Sequence, residues 1–174
     1  MKQIIFFLVA IWPTALQCQV HGGVGAGFGY NKMSGDGTGI SQDDGWQAGV
    51  WVEPMATERF GVYGSLAYTQ RGGKISPDVE LTAEYVTAMI MPRFRIPAKD
   101  RAVAFVAGGG GYLGWLTEKA DDQTDYGLCG QAGLEWKRVS AVLYFQQGLK
   151  DVVAVIAGGQ RWISAGLVVN VRVF

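Results

Sequence analysis

Hydrophobic and polar residues alternate along several stretches of this chain, most clearly over residues 45–73. In the first half of that stretch one row contains Trp46 and Val50, and the other contains Gln47 and Glu53. An alternation with a period of two predicts β-strands that have one apolar face and one more polar face. The apolar rows also begin or end with an aromatic residue, which is typical of a transmembrane β-hairpin whose apolar face meets lipid.

The same alternation recurs along the rest of the chain and is interrupted by polar or glycine-rich segments. The predicted connections are alternately long and short, which is the plan of an all-β, eight-stranded, antiparallel, up-and-down transmembrane β-barrel, porin-like in architecture. Closure of the sheet removes strand edges whose backbone groups lipid could not satisfy. Two predicted strands lie within 45–73, on either side of a turn at 54–59. The other six are 20–30, 82–96, 103–116, 126–136, 139–149 and 163–174. Long loops are predicted at 31–44, 72–81 and 119–125.

The N-terminus has the pattern of a secretory signal peptide. A basic start precedes an apolar run at 4–11 that is too short to span a bilayer as a helix, and small residues follow it. We expect residues 1–18 to be the signal peptide and 19–174 to be one outer-membrane β-barrel domain. Cys18 raises the question of a lipoprotein, but Gln17 stands where a lipobox requires a small residue, which disfavours lipidation.

The overall charge excludes one class of partner. The chain has 15 basic and 15 acidic residues and no basic stripe, so nucleic acid is not expected as a partner. After the signal peptide no 18-residue apolar run is free of charge, so no transmembrane helix is expected either.

Five charged residues fall on the polar rows near the short-turn ends of their strands. Because a charge that faces lipid is costly, we expect these side chains to point into the barrel and to pair with one another. The interior of an eight-stranded barrel is just wide enough for side chains to fill, so the pattern indicates a structural plug, with a gate or an ion site as the alternative. The expected charge cluster is Glu53, Arg93, Arg95, Glu135 and Arg172, with Tyr63, Gln131, Tyr144 and Gln146 in the middle of the lumen.

Aromatic residues at the ends of the apolar rows predict two girdles at the membrane interfaces. The short turns are rich in Lys and Arg, whereas the third long loop is acidic, and we therefore expect the short turns to lie in the periplasm. The expected outer girdle is Trp46, Tyr68 and Trp115, and the expected inner girdle is Phe60, Phe94 and Trp136.

Two strands contain local irregularities in this pattern. Glu84 and Arg93 fall on opposite rows of one strand, which predicts either a bulge or a strand start near Tyr85. The glycine-rich run at 109–114 fits G-x-G-x-x-G, but no helical period follows it, which disfavours a nucleotide site. Cys129 falls on the inward-facing row of its predicted strand and is interpreted as a small packing residue.

The remaining polar candidates have more than one interpretation. His21, the single histidine, lacks companions for a catalytic triad or a metal site, and we expect it in solvent at the periplasmic rim. Asp121, Asp122 and Asp125 indicate either a divalent-cation or lipopolysaccharide contact or a solvated acidic loop. The apolar segment 152–157 indicates either an extension of the seventh strand or a partner contact.

The sequence resembles the PorT-like outer-membrane β-barrel proteins of Bacteroidota. The likeness is carried by the segments GWQAGVWVE and RFGVYGSLAYTQRGGK. Residues 68–72 stand where the family has Tyr-Ser-Gln-Lys-Gly. The later strands of the family are resembled by 85–95, GGYLGWLTEK and YGLCGQAGLEW. The chain departs from the family at Met89, where a proline is common, and Phe174 lies off the final apolar row. The resemblance implies an outer-membrane barrel. PorT itself belongs to a protein-secretion system, whereas most members have no assigned activity.

These features together predict a non-enzymatic integral outer-membrane protein of a Gram-negative cell that needs no cofactor or metal and uses extracellular loops for binding or envelope organisation. The alternatives are a small channel or transporter for ions or apolar solutes, a secretion-system accessory barrel, and a lipid-modifying enzyme. The expected partners are outer-membrane lipid and lipopolysaccharide, the barrel-assembly machinery, and a protein at the extracellular loops.

Overall fold

The computed structural model describes residues 19–34, 41–76, 79–99, 102–117, 124–150 and 161–174. No helix in these ranges is long and apolar enough to cross a membrane. The expected signal peptide, Asp121, Asp122 and the segment 152–157 lie outside the described residues. The eight strands of the described chain are β1 (Gln19–Ser34), β2 (Ser41–Thr57), β3 (Phe60–Ser76), β4 (Val79–Pro97), β5 (Val103–Leu116), β6 (Thr124–Trp136), β7 (Val139–Gly148) and β8 (Arg161–Arg172).

Each strand is antiparallel to its neighbours, and β1 also pairs with β8, so the sheet closes into a barrel. Val24, for example, lies opposite Val50 of β2 on one side and Val171 of β8 on the other. In a closed sheet every strand has a partner on both sides, which is the arrangement that lipid requires. The predicted all-β, eight-stranded antiparallel barrel is therefore confirmed.

The apolar rows face outward and the polar rows face the lumen. Val50, Ile90 and Leu143 are 56%, 64% and 66% exposed, whereas Gln47 and Thr87 are buried. This distribution is the reverse of that in a water-soluble domain, and it matches a barrel surrounded by lipid. The predicted phase of the strands is confirmed at these positions.

Most strands are longer at the loop end than the sequence pattern predicts. β1 continues to Ser34 and β6 begins at Thr124, inside segments that were expected to be loops. The long loop expected at 72–81 is wrong, because only residues 77–78 separate β3 from β4. Beyond the apolar band a strand still pairs with its neighbours but no longer needs an apolar face, so its composition resembles that of a loop.

The described strands differ greatly in length, and the difference is ordered around the barrel. β4 has 19 residues and β3 has 17, whereas β7 has only 10. At the loop end β4 pairs with β5 from Tyr85 onward, while its pairing with β3 continues as far as Val79. The β3–β4 hairpin therefore extends beyond the point at which β5 leaves the sheet.

The bulge or strand start expected near Tyr85 is wrong, because β4 already begins at Val79. The register between β3 and β4 is continuous here, with Tyr85 opposite Thr69 and Glu84 opposite Gln70. Glu84 stays on the outward row, where its carboxylate accepts a hydrogen bond from the hydroxyl of Tyr68. The expectation assumed that every charged side chain must point into the lumen. The Tyr68 hydroxyl on the adjacent strand β3 instead stabilises the Glu84 carboxylate on the outer face.

Tight packing inside the lumen depends on glycine at specific positions. A Cβ atom on Gly29 would lie 2.6 Å from the Tyr144 hydroxyl oxygen, and one on Gly166 would lie 2.8 Å from Cε1 of the same ring. The two glycines thus let the Tyr144 ring lie directly on the backbone of β1 and β8. At the other end, Lys137 adopts a φ of 53° in the two-residue turn between β6 and β7, as tight hairpin turns require.

Candidate functional site

One group of polar and aromatic side chains crosses the lumen at the loop end. Arg71 and Asp125 are both 0% exposed, and Nη1 of Arg71 donates to Oδ2 of Asp125 at 2.5 Å. Nη2 of Arg71 donates to Gln146 at 3.0 Å, and the Tyr112 hydroxyl donates to Oδ2 of Asp125 at 2.9 Å. The guanidinium carbon also lies 5.0 Å from the centre of the Tyr85 ring, within range of a cation–π interaction. We call these five residues the loop-end cluster.

Sequence reasoning missed the loop-end cluster. Asp125 was expected in a solvated or cation-binding acidic loop, and that expectation is wrong because β6 already begins at Thr124 and directs Asp125 inward with Gly127 and Cys129. Arg71 was not selected as a lumen residue, because a loop was expected to begin at residue 72. Arg71 and Tyr63 are separated by an even number of positions in the same strand, so the alternation could have shown that Arg71 faces the lumen as Tyr63 does.

The structure brings together all five members of the charge cluster expected at the other end of the lumen, and we call them the turn-end cluster. Arg93 Nη1 lies 3.3 Å from Glu53 Oε2, and Arg95 Nη2 lies 2.6 Å from Glu135 Oε2. Two longer contacts link the pairs, since Arg95 is 3.8 Å from Glu53 and Arg172 is 3.7 Å from Glu135. Three positive charges thus face two negative ones.

The turn-end cluster passes gradually from a dry interior to solvent. The side chains of Glu53 and Arg93 are 2% and 3% exposed, those of Arg95 and Glu135 are 15%, and that of Arg172 is 26%. This gradient means that the outer pairs are solvated and the inner pair is not.

His21 is buried beside the turn-end cluster, and its expected position in solvent is wrong. It is only 6% exposed, and both ring nitrogens lie 3.4 Å from Nη1 of Arg172. β1 begins at Gln19 and pairs His21 with Glu53 of β2, so the residue belongs to an ordered strand rather than a frayed terminus.

Between the two clusters the lumen contains an apolar group and a small cavity. Tyr63 stacks on Trp51 with ring centres 5.9 Å apart, and it packs with buried Met91, Tyr112 and Cys129. A cavity of about 40 Å³ lies beside this group. Its polar lining includes the mid-lumen residues predicted from sequence, namely Tyr63, Gln131, Tyr144 and Gln146.

The aromatic residues expected in the girdles lie at opposite ends of the outer surface. Trp46 contacts Tyr68 at the loop end with ring centres 5.5 Å apart, and Phe60 contacts Phe94 at the turn end at 5.2 Å. Trp115 and Trp136 are 41% and 56% exposed at the loop end and the turn end respectively.

The described residues include no group of three or more His, Cys, Asp or Glu side chains that could hold a metal ion. The glycine-rich run at 109–114 lies inside β5, which continues to Leu116. The helix that a dinucleotide site requires therefore does not follow this motif within the described chain.

Residues 5–138 match the family described as Outer membrane protein beta-barrel domain, and the chain belongs to that family. It is thus a protein of the cell outer membrane. No curated protein matches the sequence.

Several solved structures share the fold, among them Ail and Neisserial surface protein A. Ail is the attachment invasion locus protein of Yersinia pestis, and its structure was solved in complex with the heparin analogue sucrose octasulfate. Its sequence is 16% identical and its TM-score is 0.53, and the match covers 88% of this chain and 99% of Ail. Neisserial surface protein A is 15% identical with a TM-score of 0.54, over 86% of this chain and 96% of that protein. At these identities the similarity shows the fold alone.

Proposed function

We propose that this protein is a non-enzymatic outer-membrane barrel with a closed lumen, and that it acts by binding envelope components at its loop end. One observation carries the proposal: the side chains of the two clusters fill the lumen at two levels. Arg71 of β3 reaches Asp125 of β6 and, on the opposite wall, Gln146 of β7, and the ion pairs of the turn-end cluster link β4 with β2 and with β6. A solute that crossed the barrel would have to break buried ion pairs, so activity is expected at the rim and the outer surface.

The charge of the two ends supports an orientation with the loops outside the cell and the short turns in the periplasm. The connections at the loop end contain six acidic residues and two lysines, and the short turns contain five basic and two acidic residues. Acidic loops suit the cation-bridged lipopolysaccharide layer. They disfavour a polyanionic ligand of the kind bound in the Ail structure. The loop-end connections are 35–40, 77–78, 117–123 and 149–160, and the turns are 58–59, 98–102 and 137–138.

Several finer expectations belong to the same proposal. A signal peptide at 1–18 and insertion by the barrel-assembly machinery would deliver the chain to the outer membrane. The resemblance to PorT-like proteins of Bacteroidota favours an accessory role near a secretion system as one form of envelope organisation. A protein partner at the extracellular loops fits both.

Cysteine labelling on intact cells tests the orientation. In a Cys129→Ala background, single cysteines at Thr38 and Asp122 should react with an impermeant maleimide, because both lie in the proposed external loops. Cysteines at Ala98 and Lys137 should react only after the outer membrane is permeabilised. Labelling of the second pair on intact cells, with protection of the first, would reverse the orientation.

Lipopolysaccharide binding tests the role of the acidic loops. Replacing 118–123 with a Gly-Ser segment of the same length should weaken Mg²⁺-dependent binding of lipopolysaccharide to the purified barrel. The matched control is the same kind of replacement at 98–101, in the opposite end, which should leave binding unchanged. Equal binding by all three proteins would contradict the proposal.

A small channel is the second candidate, and the cavity in the middle of the lumen favours it. Conduction would require the ion pairs on both sides of this cavity to open. We expect planar-bilayer recordings of the purified protein to show no steady conducting steps. Reproducible conductance whose ion selectivity changes in Arg93 or Glu135 variants would favour the channel instead.

A further inference from the structure

A second, smaller pocket lies at the turn end, and its lining is strongly basic. Arg93, Arg95, Arg138 and Arg172 all line it, and Glu135 is its single carboxylate. The pocket has a volume of about 10 Å³, close to that of one water-sized sphere. It can therefore hold one small occupant.

The most deeply buried arginine of this pocket has hydrogen-bond donors that the described residues do not use. Nη1 of Arg93 faces Glu53 at 3.3 Å, but Nε and Nη2 are buried and have no acceptor among the described residues. Nε of Arg95 is likewise buried and has no acceptor among the described residues. Glu53 does not line the pocket, so it neutralises Arg93 from another side. A buried donor without an acceptor is costly, and more so when it is charged.

The charges of the turn-end cluster also leave one positive charge over. Within the part of the chain that the structure describes, Arg93, Arg95 and Arg172 face two carboxylates, Glu53 and Glu135. In an interior with a low dielectric constant an uncompensated charge exerts a strong field, and that field attracts a counter-ion. One bound monovalent anion would make the cluster neutral.

We propose that this pocket binds a single small anion of halide size, with chloride as the probe. The buried Nε and Nη2 groups of Arg93 and the buried Nε group of Arg95 would donate to it, and the Ser140 hydroxyl, which also lines the pocket, would add a further donor. Arg138 is exposed at the pocket and adds a positive field. A phosphate group or a lipid head group is too large for a pocket of this volume. The anion completes the plug and is not a transported solute.

Side-chain NMR of the purified barrel in detergent micelles tests the proposal directly. The Nε–Hε resonances of the arginines are followed while sodium chloride replaces sodium gluconate at constant ionic strength. We expect a saturable shift of the Arg93 and Arg95 resonances and no such shift at Arg59, which lies in an exposed turn at the same end. A linear shift of equal size at all three, or no shift, would overturn the site. A saturable response to phosphate but not to chloride would overturn the halide size.

Two variants separate binding from folding. Arg138→Gln changes an exposed pocket residue and should weaken chloride binding measurably, whereas Arg59→Gln, the matched control, should not. The paired variant Glu53→Gln with Arg93→Met removes one charge of each sign, and it should abolish the saturable shift at Arg95. Its folding is checked by the heat-dependent mobility of the barrel in SDS gels. If the Arg138 variant and the folded paired variant both bind chloride as the wild type does, the proposal is wrong.

Discussion

The two clusters in the lumen bury charge in different ways. The loop-end cluster has one cation and one anion, both inaccessible to solvent, and an amide, a phenol and an aromatic face lie against them. The turn-end cluster has five charges, unequal numbers of each sign and a gradual increase in exposure. The first is a closed pair whose members depend on each other. The second is a network in which Glu53, Arg95 and Glu135 each have two oppositely charged neighbours.

This difference determines what the loss of one residue does. Removing one member of a closed buried pair leaves the other without compensation, which typically costs far more than the pair itself contributes. In a network the remaining charge turns to its next neighbour or to water, and the cost falls with exposure. The same type of substitution should therefore have graded effects along the lumen.

The largest effect is expected at Arg71. Arg71→Met should lower the free energy of unfolding by about 3–5 kcal/mol, because Asp125 is then buried without a cation. Urea unfolding in lipid vesicles measures it. The double variant Arg71→Met with Asp125→Leu is the control, and it should recover part of the loss. A cost below about 1 kcal/mol for Arg71→Met would show that the pair is solvated.

An intermediate effect is expected at Arg93. Arg93→Met should cost about 1–3 kcal/mol, since Glu53 remains 3.8 Å from Arg95 and is not left alone. The same unfolding experiment with Arg95 also replaced by Met should reveal coupling, with a combined loss larger than the sum of the single losses. Simple additivity would mean that Arg95 does not act as a substitute partner.

The smallest effect is expected at Arg172, the most exposed member. Arg172→Met should cost about 0–1 kcal/mol, and raising the salt concentration should reduce that difference further. The Arg71 difference should not respond to salt, because its pair is fully buried. A salt-independent loss at Arg172 comparable to that at Arg71 would remove the distinction between the two clusters.

The fold was predictable because lipid imposes a strict alternation on every strand that crosses it. Val50 and Gln47 could be assigned to opposite faces by parity alone. The strand ends beyond the membrane carry no such constraint, and this is why Asp125 was placed in a loop and Arg71 was not selected. The turn-end cluster was accessible to sequence reasoning because its charges fall inside clear alternation. Glu84 shows that a charged residue does not always belong to the lumen-facing row, since Tyr68 stabilises its carboxylate on the outer face.

The unequal strand lengths have a consequence for recognition. At about 3.3 Å per residue, the difference between the 19 residues of β4 and the 10 of β7 is large compared with the size of a sugar ring. In the described part of the chain the rim is thus oblique, tall at the β3–β4 hairpin and low near β7. If the proposed binding takes place at this rim, a ligand would meet longer described strands at β3–β4 than at β7, which would favour one rotational setting. Shortening the hairpin would make the setting ambiguous while leaving the membrane-spanning wall intact.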